Sequence, residues 1–309
     1  MNFFKPKFWD KKQISIFSIT LLPISLVISL LYFIKSFFVK KYHYPIPVIC
    51  VGNIYLGGTG KTPLCIELFY ILQNLNKKIA FIKKKHKSHQ DEINLLNEIG
   101  PTYVDKKRNK AINKAIQDGV NVAILDDGFQ DHSVSKNLSI ICFNENHWIG
   151  NGFRIPSGPL REKISALKRA NFVIINGKKN TDIENKMLKE NGEIKIFYAS
   201  HEPQNINDFK NKKIIAFAGI GNPINFFNLL KKNNINVMEK ASFPDHYNYS
   251  KADLNNLIIK AKENNAILLT TEKDYLRIND EYKKNINYLK IRVDIKNKNQ
   301  FIEQIKKIL

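Results

Sequence analysis

A glycine-rich loop lies between a short apolar segment and a second segment whose apolar residues recur with helical spacing. Residues 47–53 have the pattern of a buried strand, the loop ends in Gly60-Lys61-Thr62, and residues 63–75 have helical periodicity. In such a loop the backbone N–H groups point inward and hold phosphate oxygens, and the following helix N-terminus favours negative charge. The sequence therefore predicts a nucleotide-phosphate site in an α/β fold with a mostly parallel sheet.

The two residues at the end of the loop have side chains that suit a nucleotide. Lys61 is expected to reach the β- and γ-phosphates of ATP, and the Thr62 hydroxyl is expected to hold Mg²⁺. The strict pattern G-x-x-x-x-G-K-[ST] is not met, because Tyr55 stands where the first glycine is expected. The alternative is a glycine-rich turn that only caps a helix. The residues predicted to bind ATP are Tyr55, Leu56, Gly57, Gly58, Thr59, Gly60, Lys61 and Thr62.

A pair of carboxylates follows a second apolar segment. Residues 120–125 predict a buried strand, which ends in Asp126 and Asp127. The carboxyl ends of neighbouring parallel strands meet at one edge of a sheet, where a magnesium nucleotide needs acidic ligands. We therefore predict that Thr62, Asp126 and Asp127 hold Mg²⁺. An isolated Asp-Asp-Gly sequence is more often an ordinary turn.

The N-terminal region contains an uncharged apolar run of 21 residues at positions 14–34. As a single helix this run would be about 32 Å long, against about 30 Å of bilayer hydrocarbon. One helical sector is weakly polar and holds Ser15, Ser18, Ser25 and Ser29, which is compatible with an interfacial helix. Lysines flank the run on both sides, so charge gives no orientation. The run predicts membrane attachment, either spanning or interfacial, with a buried core helix as the alternative.

Length and composition are those of a folded protein of about two domains. The 309 residues are 43% hydrophobic and 25% charged, which excludes disordered, collagen-like and coiled-coil proteins. Three cysteines without Cys-x-x-Cys spacing give neither a disulfide framework nor a zinc site, so a reducing cytosol fits best. The net charge of +21 favours an anionic partner, although biased codon usage explains the lysine excess equally well. Without an aromatic-interleaved basic stripe, nucleic acid is not expected as a partner.

Taken together, the motifs of this chain resemble those of the tetraacyldisaccharide 4′-kinases, the lipid A 4′-kinases of Gram-negative bacteria. The resemblance covers nearly the whole chain, including the apolar N-terminal segment. The matching motifs are Val51-Gly52-Asn53, Gly57-Gly58-Thr59-Gly60-Lys61-Thr62-Pro63, Asp126-Asp127-Gly128-Phe129-Gln130, Gly150-Asn151-Gly152, Pro156-Ser157-Gly158-Pro159-Leu160-Arg161-Glu162, Phe243-Pro244-Asp245-His246 and Thr270-Thr271-Glu272-Lys273-Asp274.

The resemblance implies transfer of the ATP γ-phosphate to the 4′-hydroxyl of a tetraacylated glucosamine disaccharide 1-phosphate. It implies ATP and Mg²⁺ as cofactors, inner-membrane lipids as the surface partner, catalytic lobes on the cytoplasmic side and no obligatory protein partner. It also implies catalytic roles for Asp91 and His246 beside Lys61, and substrate contacts from Arg161 and Glu162. From the residues alone, Asp91 is typical of a helix N-terminus and His246 of a surface turn.

The chain departs from the family pattern in two places. A Ser-Arg-Gly-Tyr-Gly stretch is replaced by residues 83–90, Lys-Lys-Lys-His-Lys-Ser-His-Gln, and the glycine before Asp91 becomes Gln90. One hypothesis is that Lys83–Lys85 hold a substrate phosphate. The histidine expected directly after the Asp-Asp-Gly-Phe-Gln motif is Asp131, with His132 one position later.

Alternating strand and helix patterns divide the chain into an α/β core and a second α/β unit, joined by a polar connection at residues 177–210. Strands are predicted near 47–52, 79–82, 120–125, 138–143, 172–176, 213–218 and 266–271. We predict an N-terminal membrane anchor helix at 1–40, a P-loop kinase core at 41–205, and a smaller α/β lobe at 206–309 that closes the active-site cleft.

Two other functions are compatible with parts of the sequence. A membrane-associated P-loop ATPase that acts as a nucleotide-dependent protein switch would need only the glycine loop and the anchor. A non-enzymatic basic protein that adheres to anionic membrane or nucleic acid would need only the charge. Radioactive γ-phosphate in an extracted glycolipid distinguishes the lipid kinase from both, whereas release as inorganic phosphate alone favours the switch.

Overall fold

The computed structural model describes residues 6–11, 13–86 and 90–309. The α-helices are α1 (Ile16–Thr20), α2 (Leu22–Phe37), α3 (Lys61–Gln73), α4 (Gln90–Ile99), α5 (Arg108–Gln117), α6 (Thr181–Glu190), α7 (Pro223–Lys232), α8 (Lys251–Glu263), α9 (Glu272–Tyr275), α10 (Asp280–Lys283) and α11 (Lys298–Lys306). The strands are β1 (Val48–Gly52), β2 (Ile79–Lys84), β3 (Thr102–Asp105), β4 (Val122–Asp126), β5 (Leu138–Asn144), β6 (Phe172–Asn176), β7 (Lys195–Pro203), β8 (Lys213–Ala218), β9 (Asn236–Ser242), β10 (Ile267–Thr271), β11 (Ile286–Leu289) and β12 (Ile291–Ile295).

The larger sheet has the strand order β12-β7-β6-β5-β1-β4-β2-β3. Pairing from β3 through to β7 is parallel throughout, and every residue of β1, β4, β5 and β6 is buried. Near-continuous apolar strands of this kind are expected where helices cover both faces of a parallel sheet. The predicted α/β fold with a mostly parallel sheet is therefore confirmed.

The smaller sheet has the order β11-β10-β8-β9, and its strands also pair in parallel. The helices beside it begin with clear sequence signals. In α8 the Ser250 side chain accepts from the Asp253 backbone N–H, while the Asp253 side chain accepts from the Ser250 backbone, which is a capping box. In α7 a proline occupies the first turn, where its missing N–H costs nothing.

Contacts divide the chain into two compact units whose limits differ from the predicted ones. The first contains Lys5–Lys85, Ile99–Ser200 and Val293–Leu309, and the second contains His86–Glu98 and His201–Arg292. The C-terminal segment belongs to the first unit because β12 extends the larger sheet beside β7. The segment around Asp91 belongs to the second because its carboxylate is paired with Lys273 and His246.

The predicted polar connection at 177–210 is wrong as a description of local structure. This region forms helix α6 and strand β7, and β7 pairs with β6 in the larger sheet. Asn180 caps α6 by accepting from two backbone N–H groups, and Ile183 and Met187 are the buried face of that helix. The Asn and Lys bias of the segment concealed an amphipathic helix whose apolar positions are few.

The apolar N-terminal run forms two helices rather than the predicted single one. Helix α1 ends at Thr20 and α2 begins at Leu22, next to Pro23, which has no N–H to continue the helical hydrogen bonds. Within the described residues, the structure contains no helix with the length and apolarity needed to cross a membrane.

The serine side of these helices faces protein. Ser18 is buried and accepts from the Asn151 side chain at 3.0 Å, and Ser25 donates to the Arg154 carbonyl at 3.1 Å. The apolar side chains point the other way and are exposed, among them Ile16, Phe17, Val27, Leu30, Leu31, Phe33 and Phe37. This is the reverse of the usual arrangement for a helix on a water-soluble protein.

Candidate active site

The glycine loop joins β1 to α3 in a conformation that depends on two glycines. Gly60 has φ 85° and directly precedes the first turn of α3, a backbone geometry that other residues rarely adopt. Gly52 ends β1 where a Cβ would lie 2.5 Å from the Cβ of Phe129. The backbone of Gly52 therefore packs directly against the Phe129 side chain of the Asp-Asp-Gly-Phe-Gln turn. A residue with a Cβ at position 52 would prevent this close approach.

Polar side chains fix the loop from within. Asn53 donates to the Thr59 hydroxyl at 2.9 Å, and Asn176 at the end of β6 donates to the Thr59 carbonyl at 2.6 Å. Both Asn53 and Thr59 are buried. These hydrogen bonds fix the shape of the loop, and a preorganised loop lowers the entropy cost of binding a phosphate chain.

Tyr55 accounts for the departure from the strict glycine-loop pattern. Its ring is buried and stacks on His147, and its hydroxyl donates to Asp10 at 2.5 Å. Burial, followed by the neighbouring Asp10 carboxylate, raises the pKa of this phenol well above its usual value. Tyr55 is therefore a packing residue that ties the start of the loop to the N-terminal segment. Next to it, Leu56 donates its N–H to the Pro159 carbonyl at 2.8 Å.

Thr62, Asp126 and Lys83 form a buried cluster at the end of the loop. The Thr62 hydroxyl donates to Asp126 Oδ2 at 3.0 Å, and Lys83 Nζ lies 2.5 Å from the same oxygen. Lys83 is only 2% exposed and Asp126 is fully buried, so this is a buried ion pair. Lys83 belongs to the run Lys83–Lys85, for which the hypothesis was that its side chains hold a substrate phosphate. Its burial against Asp126 excludes that role for Lys83.

Asp127 is held by two cations. Arg161 Nη1 donates to both carboxylate oxygens at 2.7 and 3.0 Å, and Lys61 Nζ lies 3.8 Å from Oδ1. Burial raises the pKa of Asp127, but Lys61 and Arg161 outweigh it and hold the pKa well below its usual range. Asp127 has φ 58°, and Arg108 fixes this turn by donating to the Asp127 carbonyl at 2.7 Å. Three predicted site residues, Lys61, Asp127 and Arg161, thus lie together.

The residues beside the loop fit a magnesium ion that arrives with phosphate ligands. Asp126 Oδ1 is buried and accepts no hydrogen bond in the described structure, and Thr62 lies beside this carboxylate. Mg²⁺ prefers oxygen ligands and usually takes one or two carboxylates plus substrate phosphates. Within the same described ranges, no group of three or more His, Cys, Asp or Glu residues is arranged to hold a metal alone. Of the predicted ligands, Thr62 and Asp126 are adjacent, whereas Asp127 is engaged by Arg161 and Lys61.

Glu162 lies at the edge of the same cluster. It accepts from the Gln130 side chain at 3.1 Å and pairs with Arg169, while Gln130 also donates to the Asn53 carbonyl at 2.8 Å. Arg169 stacks over the Phe129 ring and lies near His132. The position after Gln130, a histidine in the family pattern, holds Asp131, which pairs with Arg108 at 3.1 Å.

The buried pairing of Lys83 makes a prediction about stability. Lys83→Met should lower the free energy of unfolding by about 3–5 kcal/mol, because it leaves the buried Asp126 carboxylate without its cation. Urea unfolding measures this. The exposed neighbour Lys84→Met is the matched control, expected to change stability by less than about 0.5 kcal/mol. Adding Asp126→Asn to Lys83→Met should recover part of the loss. Equal midpoints for the Lys83 and Lys84 variants would contradict the ion-pair interpretation.

A second set of predicted residues lies in the other unit, where Asp91 at the start of α4 meets His246 from the loop after β9. His246 Nδ1 lies 3.2 Å from Asp91 Oδ1, and the Asp91 side chain is 1% exposed. Burial raises the pKa of Asp91, but the hydrogen bond from His246 and the charge of Lys273 outweigh it and lower the pKa below its usual value. Asp91 is therefore a carboxylate at neutral pH. His246 has φ 56°, and its backbone N–H donates to the Gly219 carbonyl at 3.1 Å.

Two cations near Asp91 were not among the predicted site residues. Lys273 Nζ lies 3.7 Å from Asp91 Oδ2 and 2.6 Å from Glu92, and Arg277 Nε lies 3.6 Å from Asp91 Oδ2. Burial lowers the pKa of Lys273, but Glu92 and Asp91 outweigh it and raise the pKa above its usual value. Lys273 occurs in the quoted Thr-Thr-Glu-Lys-Asp motif, which was the available signal, whereas no motif indicated Arg277.

Residues 84–89, which belong to the stretch that replaces the family's Ser-Arg-Gly-Tyr-Gly motif, are only partly described by the structure. Lys84, Lys85 and His86 are exposed, and Lys87, Ser88 and His89 are outside the described residues. A phosphate-binding role for Lys84 and Lys85 stays a prediction.

The fold and this site together define a P-loop nucleotide-binding protein, since a parallel sheet carries a glycine loop whose Lys and Thr lie beside paired carboxylates. A sequence profile of tetraacyldisaccharide-1-P 4′-kinase, LpxK, matches residues 17–97 and 82–309. The chain belongs to this family, which confirms the resemblance drawn from the motifs.

Individual relatives with the same family name are similar to this chain over nearly their full lengths. The chain is 43% identical to the tetraacyldisaccharide 4′-kinase of Pelagibacter ubique, over 100% of this chain and 99% of the relative. It is 35% identical to the enzyme of the same name from Rickettsia bellii, with 97% of each covered. Its structure is similar to that of LpxK from Aquifex aeolicus crystallised in complex with ATP. That match has a TM-score of 0.71 and 26% identity, and it covers 94% of this chain and 99% of the other.

Proposed function

We propose that this protein is a lipid kinase that transfers the γ-phosphate of ATP to the 4′-hydroxyl of a tetraacylated glucosamine disaccharide 1-phosphate, in lipid A biosynthesis. The observation that carries the proposal is full-length membership of the tetraacyldisaccharide 4′-kinase family, combined with a formed glycine loop beside Asp126 and Asp127. The nucleotide-switch alternative has no comparable support, since the named relatives are kinases.

The loop residues are proposed to bind and position the triphosphate. Backbone N–H groups before Lys61 hold phosphate oxygens, and Lys61 and Arg161 bring positive charge to the same place. Thr62 and Asp126 would hold Mg²⁺, which supplies further charge neutralisation on the phosphates. Asp127 would hold Lys61 and Arg161 beside the loop through its ion pairs. Phosphoryl transfer depends mainly on such positioning and electrostatic stabilisation.

Asp91 and His246 are proposed to act on the acceptor hydroxyl. Asp91 Oδ1 is engaged by His246, whereas Asp91 Oδ2 accepts no hydrogen bond among the described residues. In this proposal Oδ2 takes the proton of the attacking hydroxyl as that oxygen bonds to the γ-phosphorus, while the bond from the γ-phosphorus to the β-phosphate oxygen breaks and ADP leaves. His246 holds the carboxylate in orientation and stabilises its ionised form.

A transfer assay tests the proposal directly. Purified full-length protein is incubated with ATP, Mg²⁺ and the tetraacylated disaccharide 1-phosphate in mixed micelles, and the extracted lipid is analysed by mass spectrometry. The expected product carries one additional phosphate, located at the 4′ position by fragmentation. Release of inorganic phosphate without a phosphorylated lipid would instead favour the switch.

We also propose that the N-terminal helices lie in the cytoplasmic interface of the inner membrane. Their serines bind the protein body, while Phe17, Val27, Leu31 and Phe37 are each more than half exposed. Burial of this apolar face at the boundary between lipid headgroups and acyl chains removes its area from water. The lysine side chains of the protein add electrostatic attraction to anionic headgroups. The acceptor carries four acyl chains in this proposal, so an interfacial enzyme would meet it without extracting it.

Substitutions on the exposed face test membrane attachment without disturbing the serine contacts. Val27→Glu with Leu31→Glu should abolish flotation with vesicles that contain anionic lipid, because each charge opposes burial in the acyl boundary. Val27→Ala with Leu31→Ala is the milder control and should retain partial binding. Activity on a micellar acceptor should persist in both variants. Unchanged flotation of the glutamate variant would place the attachment elsewhere.

A further inference from the structure

Arg277 is a nearly buried guanidinium beside the Asp91–His246 pair, and its contacts converge on the backbone that carries His246. Its side chain is 8% exposed. Nη1 donates to the Tyr247 carbonyl at 3.2 Å, and Nη2 donates to the Gly219 carbonyl at 2.7 Å. Gly219 O also accepts from the His246 backbone N–H at 3.1 Å. One guanidinium therefore fixes both sides of the His246 backbone, which is in the left-handed region.

The same guanidinium lies beside two carboxylates, Asp274 and Asp91, which differ in how many other hydrogen-bond donors they have. Asp274 pairs with Arg277 but also accepts from Tyr249 at 2.8 Å, Thr271 at 2.6 Å and the Gly219 N–H at 3.1 Å. Asp91 Oδ2 lies 3.6 Å from Arg277 Nε and has no hydrogen bond of its own in the described residues. Asp274 thus has neutral donors as well, whereas Asp91 Oδ2 depends on cations nearby.

We propose that Arg277 is a positioning residue for phosphoryl transfer, which holds the His246 loop and the Asp91 carboxylate in one geometry through a single planar fork. The inference rests on the proposed function of the Asp91–His246 pair. Arginine suits the task because its five donors are fixed in one plane, and lysine cannot replace that geometry. A displacement of about 1 Å in a catalytic group can cost about 10²-fold in rate.

Several other charged groups lie around Asp91, and they determine how far the removal of Arg277 would change the protonation of this carboxylate. His246 faces it from the loop after β9, Lys273 from α9, and Glu92 lies beside it on α4. Asp245 lies 3.8 Å from His246 Nε2. With Lys273 still present, removal of Arg277 leaves one cation near Oδ2, so the carboxylate should protonate at a higher pH than before.

The experiment compares full-length Arg277→Lys and Arg277→Met with Asp91→Asn and with the exposed control Arg292→Met. Arg277→Met should lower kcat by about 10²-fold with the ATP KM unchanged, and should move the acid limb of the kcat profile to higher pH. Arg277→Lys should lose kcat similarly but keep the acid limb near its original pH, because the charge remains without the fork. Arg292→Met should behave as the parent protein.

The possible outcomes distinguish the positioning role of Arg277 from the proposed role of the Asp91–His246 pair. If Asp91→Asn loses kcat while both Arg277 variants keep it, the positioning role is overturned and the proposed function stands. If Asp91→Asn keeps full kcat, the proposed role of the pair is overturned first. If Arg277→Met fails to unfold cooperatively, Arg277→Lys decides the question, since a variant with parental unfolding and parental kcat contradicts the inference. Restoration of Arg277→Ala kcat by added methylguanidinium would support it.

Discussion

Lys61→Met is expected to lower kcat by at least about 10²–10³-fold, the cost of losing one preorganised charge at a transition state. Lys61 Nζ lies 3.8 Å from Asp127 Oδ1, at the first turn of α3, where the glycine loop ends. Its loss removes positive charge where the triphosphate is proposed to bind, and it also leaves the negative charge of Asp127 offset by Arg161 without Lys61. ATP affinity should therefore fall together with kcat, as measured by initial rates over a range of ATP concentrations.

The matched control for Lys61 is Lys78→Met, an exposed lysine in the same unit. It makes the same change in net charge and side-chain chemistry away from the loop, so its kinetics should equal those of the parent protein. Thermal unfolding of both variants should be cooperative. Near-normal turnover by Lys61→Met would contradict the proposal that ATP binds at the glycine loop.

Asp91→Asn is expected to lower kcat by about 10²–10⁴-fold while ATP affinity stays close to normal, because it removes the proposed general base but no proposed nucleotide contact. The amide keeps the size of the side chain and can still bond to His246, so loss of the charge is the main change. Initial rates with each substrate varied in turn distinguish the two parameters. Glu98→Gln, the same chemical change at an exposed position of α4, is the control.

The pH dependence of the same variant has a defined sign. Burial raises the pKa of Asp91, but His246, Lys273 and Arg277 outweigh the burial, so the pKa of Asp91 in the folded protein lies below its usual range. This carboxylate stabilises the fold above its unfolded pKa, and that contribution is lost as pH falls through the lower folded pKa. Asp91→Asn should therefore flatten the loss of stability on acidification. A parental acid response of Asp91→Asn would contradict the assignment.

Local sequence patterns predicted the strand and the helix on either side of the glycine loop. The strand predicted at 47–52 is β1, and the predicted helix at 63–75 corresponds to α3, which begins two residues earlier at Lys61. These predictions succeed because buried apolar periodicity and a left-handed glycine are properties of neighbouring residues. The prediction that the strand ending in Asp126 lies beside β1 in a parallel sheet is confirmed by the pairing of Val51 with Asp126.

The unpredicted features depend on partners far apart in the chain. Lys83 reads as the start of an exposed charge run, but its partner Asp126 is 43 positions away and the pair is buried. Arg277 reaches Gly219, 58 positions away, through a backbone carbonyl that no side-chain pattern reveals. Asp91 and His246 are 155 positions apart, and only family resemblance suggested that they meet. Spacing along a sequence does not encode such contacts.

The hydrogen bond from Tyr55 to Asp10 has a practical consequence for protein engineering. Asp10 precedes the apolar helices, and Trp9 beside it donates to the Pro156 carbonyl at 3.1 Å. A shortened form designed for solubility, starting after residue 40, would lose these anchors and leave the buried Tyr55 hydroxyl without its acceptor. Weak turnover by such a form would reflect a disturbed nucleotide loop as much as lost lipid contact. Polar replacements on the outer face of α2 are the better route to a detergent-free preparation.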